Sequence, residues 1–349
     1  MIPSISLLAD PAPRDARLSI ALAEGLALPD GAIAVLHPRA GEVFDPLDRA
    51  RLHMVQPFRP DHDALAAMGY TVSADMLSAP VALVCLPRAK ALALDLIARA
   101  AETAQLVLVD GQKTDGIESV FKLLRARVEV QGNVTKAHGR LFWFDPRGVD
   151  LSDLRDAGHQ ITAADGRVFQ TCAGAFSADG IDPASQLLAD ALPPELPAHM
   201  ADLGAGWGFL SAAVLARQGV ETLQMIEADA TALAAARVNV TDPRAVAHWA
   251  DATTFTPPAA VNGVVMNPPF HTGRSAQPAL GLAFIAAAAR ILTARGQLWM
   301  VANRHLPYDA PLADAFAEVT LLTQTPSFKV WHARIPRRGK GRTITRNPR

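Results

Sequence analysis

The residues of this 349-residue chain best suited to chemistry are Asn267-Pro268-Pro269-Phe270, directly behind the apolar run Val261-Asn262-Gly263-Val264-Val265-Met266. That run reads as a buried strand, so the four residues form a turn at its carboxyl end. The side-chain oxygen of Asn267 and the main-chain carbonyl of Pro268 can each accept one N–H bond. An amino group on a flat π system is a poor nucleophile because its lone pair is delocalised. Two such acceptors fix that nitrogen and favour the pyramidal geometry it adopts as it attacks. The prolines stiffen the turn, and Phe270 can stack on the ring. Asn267, Pro268, Pro269 and Phe270 are therefore the expected catalytic residues, and Asn267 is expected to border the bound cofactor as well.

Upstream lies Asp202-Leu203-Gly204-Ala205-Gly206-Trp207-Gly208, again at the end of a strand. Its glycines allow backbone angles and close ligand approach that a Cβ would forbid. A dinucleotide fingerprint would need a further glycine where Phe209 stands, and it does not expect an acid at Asp202. An acid followed by glycines in alternate positions resembles the loop of S-adenosylmethionine (SAM) methyltransferases. That resemblance implies that Asp202, Gly204, Ala205, Gly206 and Gly208 bind the cofactor, with the acid helping to hold its methionine end. Glu227 ends the next strand, where a carboxylate can accept both hydroxyls of a ribose. Asp229 reads as a helix N-cap. Asp251 follows the third strand, where in this fold class an acid accepts from the adenine amino group. Phe176-Ser177, with Asp182 and Ser185 ahead of a helix at Gln186–Ala191, is expected to cover the cofactor edge, with Phe176 near the methionine part. The sulfonium is itself a good leaving group, so the chemistry requires no covalent enzyme intermediate. The turn leaves the substrate open: adenine N6, cytosine N4, guanine N2 and the glutamine amide are all served by related turns.

The elements that must position these residues alternate in type. In the C-terminal half, strands are expected at Met200–Leu203, Thr222–Ile226, Ala245–Ala250, Gly263–Met266 and Gln297–Val301. Helices are expected at Phe209–Gln218, Ala230–Val240 and Ala279–Thr293, the last ending at Gly296. A short helix around Pro311–Ala317 and two adjacent, antiparallel strands, Glu318–Thr323 and Phe328–Ala333, close a doubly wound α/β sheet. The N-terminal half has the same grammar: strands at Ala32–Leu36, Leu52–Pro57, Val81–Leu86, Leu106–Val109, Val128–Val134 and Arg140–Phe144, and helices at Asp61–Met68, Ala89–Ala101 and Ile117–Arg125. Val81–Pro87 aligns with Gly263–Pro269, and Leu106–Val109 with Leu298–Val301. One fold is thus expected in tandem. The first copy lacks the motifs: His37-Pro38-Arg39-Ala40-Gly41 stands for the glycine loop and Cys85-Leu86-Pro87-Arg88 for the catalytic turn. It reads as degenerate. A polar linker between Asp145 and Thr171 divides a degenerate domain over 1–155 from a catalytic domain over 170–335.

Composition sets outer bounds. Half the residues are apolar and 19% are charged, which suits globular folding. The net charge of −1 excludes a polycation, so any nucleic-acid affinity must come from local patches. Cys85 and Cys172 lie in different domains and form neither a metal cluster nor a disulfide framework, which suits a reducing cytoplasm. No metal is expected. Met1-Ile2-Pro3-Ser4 begins no signal peptide. Leu280 to Val301 is long and apolar, but Arg290 and Arg295 interrupt it, so no membrane span is expected.

Basic residues concentrate in two places. No acidic residue follows Glu318, and Lys329, Arg334, Arg337, Arg338, Lys340, Arg342, Arg346 and Arg349 lie beyond it. The segment 336–349 reads as a flexible basic tail suited to phosphate contacts. Lys113, Lys122, Arg125, Arg127, Lys136, His138 and Arg140 form a second basic region, which could give the degenerate copy an RNA-docking role.

The fuller string Asn267-Pro268-Pro269-Phe270-His271-x-Gly273 resembles bacterial ribosomal RNA guanine-N2 methyltransferases, as do Ala302-Asn303-Arg304-His305-Leu306-Pro307-Tyr308 and Phe328-Lys329-Val330. Within them the chain is similar to the ribosomal RNA small subunit methyltransferase C family. The resemblance runs over nearly the whole chain and is strongest from Phe176 to Ala333. It implies tandem Rossmann-like class I methyltransferase domains, SAM as cofactor, and guanine N2 of small-subunit (16S) ribosomal RNA as target. His271 and Arg304 become substrate-side residues, joined by Lys136, Arg140, Arg337 and Arg338 from the basic regions. The expected partner is ribosomal RNA or the small subunit, met by a cytoplasmic monomer. The large-subunit guanine-N2 enzymes share the duplicated plan and stay open as an alternative. Protein glutamine N5 methylation, DNA amino methylation and a non-enzymatic ribosome-assembly protein are further alternatives. The basic tail and duplication oppose the glutamine reading, the lack of an added sequence-reading domain opposes DNA, and the intact Asp202, Glu227 and Asn267 oppose the loss of catalysis.

Overall fold

The structure, a computed structural model, describes residues 13–156, 158–269, 271–272, 275–276 and 278–337. It divides into two compact units, Met1–Gly158 with Cys172–Gly174, and His159–Thr171 with Ala175–Arg349, so Cys172 falls in the same unit as Cys85 and not, as the sequence reading had it, in a different one.

The first unit opens with helix α1 (Pro13–Ala23) and strand β1 (Ile33–Leu36). Then come β2 (Leu52–Val55), α2 (Arg59–Ala67), β3 (Thr71–Ser73), β4 (Val81–Cys85) and α3 (Lys90–Thr103). It closes with β5 (Leu106–Gln112), α4 (Ile117–Leu124), β6 (Val130–Lys136) and β7 (Gly139–Phe144). The sheet order is β3-β2-β1-β4-β5-β7-β6. β7 is antiparallel to both β5 and β6, while the other pairs are parallel. The central strands β1 and β4 are buried at every position, as expected of parallel strands covered on both faces. Successive side chains of a strand point to opposite faces. Ala34 and Leu36 accordingly enter one core with Ile97 of α3, and Ile33 and Val35 enter another with Leu18 of α1 and Leu65 of α2.

The second unit repeats the plan. Helix α5 (Pro183–Ala191) precedes β8 (His199–Leu203), α6 (Phe209–Leu215), β9 (Thr222–Glu227), α7 (Ala230–Asn239), β10 (Ala245–Trp249) and β11 (Val261–Met266). Helix α8 (Pro278–Ile291), β12 (Leu292–Asn303), α9 (Asp309–Ala315), β13 (Phe316–Gln324) and β14 (Phe328–Pro336) complete it. Its sheet order is β10-β9-β8-β11-β12-β14-β13, with β14 antiparallel to β12 and β13. Shifting each strand number of the first sheet by seven gives the second, so the fold is duplicated in topology. Met200, Val265 and Trp299 fill one core with Leu188 of α5, while Leu203, Val264 and Met300 fill the other with Phe284 and Ile285 of α8.

Register refines the alignment. Ile33 pairs with Val81 as Met200 pairs with Gly263. Val81 pairs with Leu106 and Gly263 with Gln297, so Leu106–Val109 aligns with Gln297–Met300, one residue earlier than the sequence alignment had it. His37 then stands where Gly204 does, and Cys85 where Asn267 does.

Some elements differ from the sequence reading. Helix α8 stops at Ile291, and Gly296 lies inside β12 and is not a helix stop. The strand is irregular there, its pairing passing from Val261–Leu292 to Gly263–Gln297, and a Cβ on Gly296 would lie 2.8 Å from Leu292 Cβ and 3.0 Å from the Thr293 carbonyl. The stretch read as a linker contains a short hairpin, Gln160–Thr162 with Val168–Gln170. Its Phe169 is buried against Trp207 and Phe209, at ring-centroid distances of 5.4 and 5.9 Å. Burying a phenylalanine contributes roughly 2–3 kcal/mol, which ties the hairpin to the second unit. Helix α1 has no counterpart in the sequence reading, because buried Asp15 and Arg17 interrupt its apolar face. The basic segment beyond Arg337, including Arg338, lies outside the described residues.

Candidate active site

The glycine loop leaves β8 at Leu203 and is anchored on β9: Gly204 and Ala205 donate their N–H groups to the Ile226 carbonyl at 2.9 and 3.0 Å. Gly204, Gly206 and Gly208 have φ of 79°, 54° and 96°, a region that L side chains enter only with strain. Glu227, ending β9, closes the loop from the side. Its carboxylate accepts the N–H of Gly206 at 2.7 Å and that of Asp229 at 2.8 Å. Burial pushes this carboxyl up from its usual range, against those hydrogen bonds. Asp202 lies beneath the loop, fully buried, where Oδ2 accepts from the Ser211 hydroxyl at 2.7 Å and Oδ1 has no partner. Burial pushes its carboxyl up to about 7, opposed by the Ser211 bond.

Asn267 follows β11 at the same edge of the sheet. Its Nδ2 donates to Asp182 Oδ2 and to Ser185 Oγ, both at 2.9 Å. Its Oδ1 is buried and unpartnered. Asp182 is the N-cap of α5 and also accepts the Ser185 N–H at 2.8 Å. Pro268 is buried and Pro269 exposed. Phe270 and the side chain of His271 lie outside the described residues.

Between the glycine loop and Asn267 lies a cavity of about 400 Å³, partly open to solvent and lined by Phe176, Ser177, Asp182, Ser185, Gly204–Leu210 in part, and Asn267. Of the residues expected at the cofactor, Phe176, Gly204, Ala205, Gly206 and Asn267 line it. Asp202, Gly208, Glu227 and Asp251 do not. The Asp251 Oδ1 accepts from the Thr253 N–H and hydroxyl at 2.8 and 2.7 Å. The sequence reading gave no positioning role to Asp182 and Ser185 and none to Ser211 or Trp207. Asp182-Pro183 carries an N-cap signature, but nothing in sequence alone links it to Asn267 across the fold.

The donor set fits SAM. Gly206 borders open space, with nothing within 4 Å of a Cβ built on it. The buried Oδ1 atoms of Asp202 and Asn267 lack partners, and such orphaned acceptors await a donor.

The corresponding edge of the first unit is filled. Arg14 donates to Glu42, in the loop after β1, and through Nε to Asp110 Oδ1 on β5 at 2.8 Å. Arg17 grips the same carboxylate with Nε and Nη2, at 2.6 and 2.9 Å. Cys85 is fully enclosed, and burial pushes its thiol up.

The basic residues expected at RNA differ in setting. Arg140 donates to Glu118 and to Asn133 Oδ1 and stacks 4.2 Å above the Phe121 ring centre. Lys136 is exposed at the end of β6. Arg304 is exposed beyond β12, its N–H bonded to the Ser327 carbonyl. Arg337 donates from Nε to the Phe316 carbonyl at 3.1 Å. Among the described residues there is no His/Cys/Asp/Glu group able to hold a metal, and no helix is long and apolar enough to cross a membrane.

Comparison with known proteins bears on the same residues. The family model of the methyltransferase small domain matches residues 166–332, which contain the glycine loop and the Asn-Pro-Pro turn. A 16S rRNA N2 methyltransferase of T. thermophilus, solved in complex with AdoMet and guanosine, superposes with a TM-score of 0.75 over 93% of this chain and 94% of its own, at 24% identity. That is a likeness of fold, and it extends over both units. The ribosomal RNA small subunit methyltransferase C of Salmonella arizonae is 29% identical over 67% of this chain and 68% of its own. That of Shewanella sp. (strain MR-4) is 30% identical over 71% of this chain and 75% of its own. With its duplicated sheets and its Asn-Pro-Pro turn beside a glycine loop, the chain belongs to the ribosomal RNA small subunit methyltransferase C family.

Proposed function

We infer that this chain transfers a methyl group from SAM to N2 of a guanine in small-subunit ribosomal RNA. The observation that carries the reading is the buried, unpartnered Asn267 Oδ1, set at the carboxyl end of β11 on the wall of the cavity beside the glycine loop. An acceptor held there can take one N–H of a guanine amino group, and the Pro268 carbonyl can take the other. The two bonds favour a pyramidal nitrogen, whose lone pair leaves conjugation with the ring and points to the incoming methyl group; the methylated nitrogen then loses one of its two protons to water. When bound, the cofactor supplies a methyl group on a sulfonium leaving group.

The reading assigns Gly204, Ala205, Gly206 and Gly208 to the methionine and sugar parts of SAM, with Asp202 beneath them. Glu227 takes the ribose hydroxyls, Asp251 the adenine amino group, and Phe176 the methionine side. Phe270 stacks on the target base, with His271 beside it. The base leaves its stack to reach such a pocket. Arg304 and Lys136 meet the RNA backbone, with Arg337 and Arg338 leading into the basic tail. Arg140 joins them if it exchanges its hold on Glu118 for phosphate. The chain acts as a monomer in the cytoplasm, on ribosomal RNA or the small subunit, and the first unit extends the RNA-contacting surface.

The test is methylation of unmodified small-subunit RNA, and of subunits, by the purified chain with methyl-labelled SAM, followed by nucleoside and amino-acid mass spectrometry. Label is expected in N2-methylguanosine from the small-subunit RNA. Label in large-subunit RNA, or in N5-methylglutamine of a protein, would replace the reading.

A further inference from the structure

We propose that Asp182 and Ser185 are positioning residues for Asn267, holding its amide nitrogen so that its oxygen is the atom offered to the target amino group. The proposal rests on the reading above, in which Asn267 acts as an acceptor. An asparagine side chain is nearly symmetric in shape, yet one end accepts and the other donates. Acceptor function at Asn267 therefore needs one of two orientations to be enforced. Both N–H bonds of its Nδ2 are committed, to Asp182 Oδ2 and to Ser185 Oγ, each at 2.9 Å. Its Oδ1 is left buried and without a partner on the cavity wall. The reverse orientation would set oxygen against the Asp182 carboxylate, which can only accept. It would also turn Nδ2 toward an incoming N–H.

Asp182 does this while starting a helix. The same Oδ2 that takes the Asn267 N–H also takes the Ser185 N–H at 2.8 Å, so one carboxylate oxygen joins the cap of α5 to the catalytic turn. Pro183 follows and fixes the first helical residue. A charged acceptor shortens and strengthens an N–H bond, and hydrogen bonds in series polarise one another. The Asn267 oxygen is thereby made a better acceptor. The duplicated unit offers an internal contrast. With α1 and α5 aligned on Pro13 and Pro183, buried Leu18 matches buried Leu188. Ala12 then stands for Asp182 and Asp15 for Ser185, in the copy where Cys85 stands for Asn267.

The test compares Asp182→Ser, Asp182→Asn, Ser185→Ala, Asn267→Ala and the double variant Asp182→Ser/Asn267→Ala. Serine is itself a good N-cap, so Asp182→Ser keeps the helix start and loses the reach to Asn267. Its melting temperature should stay close to wild type. Its kcat on small-subunit RNA should fall about 10- to 100-fold with little change in KM for RNA. Asp182→Asn, which keeps an acceptor of the right length, should recover part of that loss. In the Asn267→Ala background, Asp182→Ser should cost nothing further. An undiminished kcat in Asp182→Ser, or an equal further loss in the Asn267→Ala background, would overturn the proposal. If Asp182→Ser does not fold, Ser185→Ala and Asp182→Asn carry the same comparison. A second readout needs no turnover: in protein labelled with ¹⁵N-asparagine, the side-chain amide signals absent from Asn267→Ala should shift in Asp182→Ser. Unshifted signals would refute the positioning role even if wild-type chain forms no N2-methylguanosine. Absence of that product from the wild type, with shifted signals, would instead sink the guanine reading alone.

Discussion

Trp207 donates its indole N–H to the main-chain carbonyl of Phe176 at 3.0 Å. Trp207 belongs to the glycine loop and is 5% exposed, while Phe176 precedes α5 and is 64% exposed. The bond therefore fastens the segment ahead of α5 to the glycine loop, and both line the cavity. Ser177, next in line, sits at φ 53° and donates its hydroxyl to the Gly180 carbonyl at 2.7 Å. The cavity wall is thus held by a small number of polar contacts.

Trp207→Phe keeps an aromatic ring against Phe169 and Phe209 and removes only the indole donor. The loss of one such bond costs about 1–2 kcal/mol. SAM affinity should fall roughly 5- to 30-fold, while the melting temperature moves little. Calorimetry beside thermal melting checks this. A large fall in melting temperature with unchanged affinity would show that the indole supports the core and not the cavity wall.

Two glycines of one loop should respond in opposite ways to alanine. A Cβ on Gly208, at φ 96°, would lie 2.9 Å from Val240 Cγ2, so the packing of α7 must give. Gly208→Ala should destabilise the chain by about 1–3 kcal/mol. A Cβ on Gly206, at φ 54°, meets no protein atom within 4 Å, and it would enter space beside the cavity. Gly206→Ala should cost about 1 kcal/mol of stability and weaken SAM binding by an order of magnitude or more. Melting curves and calorimetry on the pair separate the effects; an undiminished SAM affinity in a folded Gly206→Ala would contradict the assignment.

The sequence displayed the catalytic sheet because its signals are local. Val261–Met266 is a continuous apolar run, and the turn and glycine loop directly follow strands that the periodicity marks. It also displayed the duplication, since Val81–Cys85 carries the same run. What it hid depends on contacts distant in sequence. Arg17 on α1 reads as an exposed charge until Asp110, far along the chain, is brought beside it. Phe169 reads as a lone aromatic in a polar stretch until Trp207 and Phe209 enclose it. The bond from Asn267 to Asp182 likewise exists only once α5 is laid over the carboxyl end of β11.

The buried acid under the glycine loop predicts the direction of a pH effect. Burial raises the Asp202 carboxyl to about 7 from an ordinary 3.8, despite the Ser211 hydrogen bond. The folded state therefore binds this proton more tightly than the unfolded chain does. The stabilisation is fully present below the unfolded value, near pH 4, and is lost as pH rises toward 7. Glu227 is shifted in the same direction by burial and adds to the trend. Folding free energy from denaturant titrations should decline between pH 4 and pH 7. In Asp202→Asn, which cannot ionise, that decline should be smaller. An equal decline in both proteins would place the proton elsewhere.

The filled edge of the first unit predicts one SAM site per chain. Its first-strand loop starts with His37 in place of Gly204, and Cys85 replaces the acceptor Asn267. Arg14 reaches from Glu42, behind β1, to Asp110 on β5, so charged side chains occupy the edge where the second unit has its cavity. Arg17 and the Asp110 carboxylate are both almost wholly buried. Removing one member of a buried pair leaves the other without compensation and costs about 3–5 kcal/mol. Asp110→Ala should therefore lower the melting temperature of the first unit sharply. It should open no second site, because His37 and Arg39 stand where Gly204 and Gly206 do, and no asparagine acceptor stands there. Calorimetric titration with SAM should give a stoichiometry near one for the wild type and for any folded Asp110 variant. A value near two in the wild type would mean that the first copy has kept its cofactor despite the ion pairs. A rise from one to two in the variant would mean that these ion pairs alone keep it closed.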